Sequence, residues 1–183
     1  MEDALQRTLS RISGGVYVLC ARDGERFGAA TVAWATQASF RPPLLIVSLG
    51  RQSNVFRCLE RSGAAALHIA GHRQLELARS FACPTEAGEH RINGQPYVDG
   101  VTTAPVLPVF PAHVECRLEE IHPLPGEHAL VVLAPVRAQC RARFRPLAIE
   151  ALRDYLKLDP LPARRPLSRP AANGRTAPDQ RPR

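Results

Sequence analysis

The chain has 183 residues, 45% of them hydrophobic and 22% charged, a length and balance that predict one folded domain and exclude a disordered or fibrous chain. Its net charge of +7 is uneven: residues 159–183 hold six arginines against two aspartates and so carry +4, which leaves the body mildly basic and argues against a nucleic-acid-binding surface. No apolar run reaches the roughly 18 residues of a membrane span, residues 1–11 lack a secretory pattern, and five scattered cysteines make neither a disulfide framework nor a zinc motif, so a cytoplasmic protein with reduced thiols is expected.

Leu5, Leu9 and Ile12 recur at helical spacing, which predicts a short amphipathic helix over 3–12 with that face on the core. Gly14 and Gly15 end it. Residues 16–21 read as a strand, and Asp23-Gly24 turns the chain into a second strand from Arg26. The apolar run 44–49 is too short for an ordinary helix and reads as a buried strand closed by Gly50. Ser53 is placed to cap a helix running to Arg61, with Val55, Phe56 and Leu59 inward and Gly63 as its stop. Residues 64–70 read as a strand and 74–81 as a short helix. The stretch 83–111 is dense in proline, glycine and polar residues, with extended pieces at 95–99 and 101–103, and so long an excursion points to function.

Residues 113–121 alternate, with Val114, Cys116 and Leu118 on one face and Glu115, Arg117 and Glu119 on the other. That predicts a half-buried antiparallel strand, turned by Leu124-Pro125-Gly126 into a partner strand at 129–136. From Pro146, Ile149, Leu152 and Leu156 predict a last helix, and residues 159–183 are expected to form a tail without fixed structure. Six or seven strands without β-α alternation give one domain over 1–158, a mainly β barrel with short peripheral helices.

Glycine-rich dinucleotide and triphosphate loops are absent, and so is a Gly-x-Ser-x-Gly elbow. His68 and His72 have the spacing of a helical metal site, but His68 falls on a strand and no metal is expected. The informative segment is 28–39, a run of small and hydroxylated residues. It reads either as a strand lying against a flat ligand, with Thr31, Thr36, Gln37 and Ser39 bonding its polar edge, or as a tight corner where backbones cross. Beyond the next strand, Arg51, Ser53 and Asn54 bring a guanidinium, a hydroxyl and a helix start to one spot, which reads either as a phosphate site or as a simple cap. Ring site and anion site together suggest a mononucleotide such as FMN.

The ordered segments Gly28 to Leu44 (with Trp34 and Ser39-Phe40-Arg41-Pro42-Pro43-Leu44), Gln74 to Phe81, Gly100-Val101, Ala104 to Pro108, Val114 to Arg117 and Gly126-Glu127-His128 resemble the flavin reductase family with the FMN-binding split barrel, over about residues 3 to 140. The resemblance implies a split β-barrel of Greek-key type and a homodimer with each flavin near the subunit interface. It also implies NAD(P)H-dependent reduction of FMN or FAD, possible service to a flavin-dependent monooxygenase, or alternatively a flavin-binding electron-transfer module without reductase activity. The implied cofactor contacts are Thr31, Val32, Ala33, Trp34, Thr36, Gln37, Ser39, Arg51, Ser53, Asn54 and Phe81. His128 is the implied catalytic residue, placing NADH or NADPH at the flavin. Glu127 and Ala129 depart from the family's usual Asp and Thr.

Overall fold

The computed structural model describes residues 2–141 and 143–158; the expected tail at 159–183 lies outside the described residues. Seven strands, β1 (Tyr17–Asp23), β2 (Arg26–Val32), β3 (Ala35–Phe40), β4 (Pro43–Gly50), β5 (Ala64–Ile69), β6 (Ala112–Pro123) and β7 (His128–Cys140), form one sheet, and helices α1 (Glu2–Leu9), α2 (Asn54–Ser62), α3 (Leu75–Ser80) and α4 (Ile149–Leu158) surround it. The spatial order is β2-β1-β5-β6-β7-β4-β3, and every adjacent pair is antiparallel. The two edge strands, β2 and β3, are joined by Ala33 and Trp34 alone. A link that short reaches only about 10 Å, so the sheet must curl until its edges nearly meet. The result is a barrel split along the β2–β3 seam, where the Ser48 amide donates to the Trp34 carbonyl at 2.9 Å.

Inside the curl, Leu19, Val32, Val47, Leu67, Val131 and Leu133 pack with Val55, Phe56 and Leu59 of α2. A second core covers the outer face of β1 and β2, where Val18, Cys20 and Ala29 meet Phe81 just after α3, Phe110 of the long excursion, Leu147 just before α4 and Leu152 within it. Burial pushes the Cys116 thiol up to about 12 and raises that of Cys20 as well, so both are inert packing groups.

Three expectations change. The face of α1 does not sit on the core: Leu5, Leu9 and Ile12 are 52–65% exposed, because periodicity reveals that a helix has an apolar face but not what covers it. Residues 101–103 form a turn rather than a strand, with Thr103 at φ 67, and the short strand 98–99 pairs with 105–106 around it. Glu115, expected on the solvent side of β6, is only 2% exposed. The excursion folds over that face, and the Thr102 amide and hydroxyl donate to Glu115 Oε2 at 3.2 and 3.4 Å, which compensates part of the cost of burying a carboxylate. Gly100 makes the room. A Cβ there would fall 2.2 Å from Glu115 Oε2, so Gly100→Ala is expected to cost about 2 kcal/mol of stability, read as a lower urea midpoint at unchanged slope.

Candidate functional site

Strand β4 ends at Gly50, and the chain rises through three residues into α2. Ser53 is the N-cap, extended at φ −72 and ψ 148, and its Oγ accepts from the Phe56 amide at 3.3 Å. No acidic residue occupies the first turn of α2, which leaves the positive end of the helix dipole open to an anion beside Ser53 and Asn54. Strand β7 starts next to this point, with His128 in register with Gly50. A Cβ on Gly50 would lie 4.0 Å from His128 Nε2, so the imidazole leans over the bare backbone of that glycine. Its other neighbour is Trp34 at the seam, ring centroids 5.1 Å apart and planes at 62°. Trp34 is 61% exposed.

Strand β3 is the free edge beside Trp34, with Thr36 and Gln37 exposed and Ser39 half-buried. Gln37 Nε2 donates to the Ser39 carbonyl at 3.1 Å. Trp34, His128, Gly50 and the start of α2 at Ser53 therefore lie together, whereas Thr36, Gln37 and Ser39 line the β3 edge that leads away from them, in register with Ile46, Leu45 and Leu44 of β4. The surface is open: two concavities of the chain, about 350 Å³ beside Gln74 and Phe110 and about 610 Å³ beside Phe27 and Tyr97, lie at other residues.

Five expected contacts make other interactions. Thr31 ties β2 to α3, its hydroxyl donating to the Ala78 carbonyl and its amide to the Phe81 carbonyl at 3.0 Å. Val32 faces the barrel core, Ala33 packs against the outer core, and Phe81 is 1% exposed and stacked near Phe110. The Arg51 guanidinium turns to the β6–β7 turn, where Nη2 donates to the Gly126 carbonyl at 2.8 Å. Sequence reasoning missed Gly126 as Arg51's acceptor, and no pattern signals a bond across 75 residues. Ala129, set apart as a departure from the family's pattern, is fully buried in the barrel.

An aromatic pair, Trp34 and His128, and the capped start of α2 thus meet at the β2–β3 seam. The chain matches the family model of the flavin reductase like domain over residues 9–153, and it belongs to that family. It is 28% identical over 120 residues to diflavin flavoprotein A 1 of Synechocystis sp., covering 64% of this chain and 21% of that one. The chain thus spans about a fifth of the length of the first curated relatives it matches. Its fold is similar to that of the Streptomyces globisporus NADH:FAD oxidoreductase (TM-score 0.69, 21% identity, 80% of this chain and 82% of that one). It is equally similar to the flavin reductase component of a bacterial two-component tryptophan halogenase (TM-score 0.69, 21% identity, 81% and 92%).

Proposed function

We propose that the chain is an NAD(P)H-dependent flavin reductase, a single reductase domain over 1–158 followed by a basic tail, working as a cytoplasmic homodimer that passes reduced FMN or FAD to a partner oxygenase. The observation that carries this reading is the meeting of Trp34, His128 and the α2 start on one open face at the seam. The residues there fit a flavin: β3 offers Thr36, Gln37 and Ser39 to a ring's polar edge, and Ser53 and Asn54 stand where a phosphate meets the helix dipole. Trp34 and Phe40, 61% and 83% exposed, suit burial by a second subunit that supplies the missing wall of the site.

When bound, the flavin supplies the hydride-accepting ring, and the nicotinamide supplies the hydride. The protein's part is to hold the phosphate at α2, present one ring face along the seam, exclude water through the partner subunit, and place the nicotinamide with His128. The test is to titrate the purified protein with FMN and FAD and then mix it anaerobically with NADH or NADPH. Tight binding and bleaching are expected; binding without bleaching would instead favour an electron-transfer module. His128→Ala is expected to leave flavin affinity within about twofold while slowing nicotinamide-driven bleaching by at least about tenfold, and an unchanged rate would remove His128 from this role.

A further inference from the structure

The turn that carries His128 has little of its own to hold it. Residues 122–127 are all exposed, and within the hairpin the turn closes with the Leu124 amide donating to the His128 carbonyl at a long 3.2 Å. Two further bonds reach it from Arg51. The Arg51 amide donates to the Glu127 carbonyl at 3.0 Å, and Nη2 donates to the Gly126 carbonyl at 2.8 Å. The acceptors are the two residues before His128, and both donors belong to Arg51, two residues before the Ser53 cap. A guanidinium bond to a carbonyl is charge-assisted and directional, so it resists the sway that Pro125-Gly126 would otherwise allow.

The geometry points to Arg51 as a positioning residue for His128: it straps the β6–β7 turn to the start of α2 and thereby sets the imidazole between Trp34 and Gly50. This rests on the reductase reading for its kinetic consequences, but not for the strap itself. Arg51 acts through His128 and through the backbone, and the phosphate is left to Ser53, Asn54 and the helix start. The same bond links the two halves of the site, since any displacement of the α2 start is passed to the turn through Arg51.

Arg51→Ala and Arg51→Lys in the full chain test it, lysine keeping the charge but losing the planar fork. Without any ligand, amide exchange at Leu124 is expected to speed up in both variants by about tenfold, the equivalent of one charge-assisted bond; unchanged exchange overturns the strap. With ligands, the ratio of FMN to riboflavin affinity is expected to stay within about twofold of the unaltered protein, because riboflavin lacks only the phosphate. The nicotinamide KM is expected to rise about tenfold with kcat falling far less, and Arg51→Ala is expected to add nothing to His128→Ala. A collapse of the FMN preference in both variants, or fully additive kinetics in the double variant, makes Arg51 a phosphate ligand and overturns the proposal. If the unaltered protein binds no flavin at all, the reductase reading fails, and the exchange measurement still decides the strap.

Discussion

Gly28→Ala is expected to cost about 3 kcal/mol of stability and to weaken FMN binding at the same time. A Cβ on Gly28 would lie 2.4 Å from both Cα and N of Val55 and 2.6 Å from the carbonyl carbon of Asn54. These are backbone atoms of the first turn of α2, so no side chain can swing away to relieve the overlap. Either β2 or α2 must move. Moving α2 pulls Val55, Phe56 and Leu59 out of the barrel core and shifts Ser53 and Asn54 from the seam. Urea denaturation and FMN titration measure the two effects together. Gly88→Ala is the matched control: a Cβ there meets nothing within 4 Å, and a change within about 0.5 kcal/mol is expected. If Gly28→Ala were as silent as Gly88→Ala, the small residues of β2 would not be there to admit the helix.

His68→Leu carries the second large effect, about 3 to 5 kcal/mol, although leucine fills much of the same space. His68 is fully buried. Its Nδ1 lies 3.0 Å from the Val18 carbonyl, which can only accept, so Nδ1 carries the proton. Nε2 is then the acceptor for the Leu107 amide at 2.9 Å. One neutral imidazole thus joins β1, β5 and the 83–111 excursion. Leucine leaves a buried carbonyl and a buried amide without this partner, each costing about 1–3 kcal/mol. Loss of protection at the Leu107 amide in hydrogen exchange is the expected signature.

The same histidine gives a pH dependence of definite sign. Burial, with the neighbouring His113 as a smaller cause, holds its pKa down to about 3 from the ordinary 6.5. Between those values the unfolded chain binds a proton that the folded chain refuses, so stability is complete above about pH 6.5 and falls as the pH drops towards 3. One proton corresponds to about 1.4 kcal/mol per pH unit. His113, whose ring centroid is 6.0 Å away, is lowered by burial too and adds in the same direction. His68→Leu should therefore show a shallower acid slope between pH 6 and 4 than the unaltered protein, and equal slopes would contradict the neutral buried imidazole.

The readings that survived are those whose physics is local. Ser53 caps α2 and Gly63, at φ 68, stops it, because a cap is decided within one helical turn. Gly24 and Glu25 make the two-residue turn between β1 and β2, at the place Asp23-Gly24 marked, and the apolar run 44–49 is a strand paired on both sides. Alternation located β6, but it assigned Glu115 to solvent, and only the fold of the excursion over that strand decided otherwise. The segment 28–39 was ambiguous between a ligand strand and a crowded corner. The corner reading applies at Gly28 and Thr31, which pack against α2 and α3, while Trp34, Thr36 and Gln37 stay exposed and carry the ligand reading only as a proposal.

What the amino-acid order alone determines here is most of the strands, the capped helix and the small-residue run 28–39, whose break at Ala33 and Trp34 into two opposite edge strands only the fold decided. Tertiary structure alone decided that Arg51 serves a turn 75 residues away, that Thr31 spends its hydroxyl on α3, and that the apolar face of α1 stays open. The reason is range. Caps, turns and alternation are interactions among residues a few positions apart, whereas the partner of a buried or bridging group is whichever distant segment the curl of the sheet brings against it.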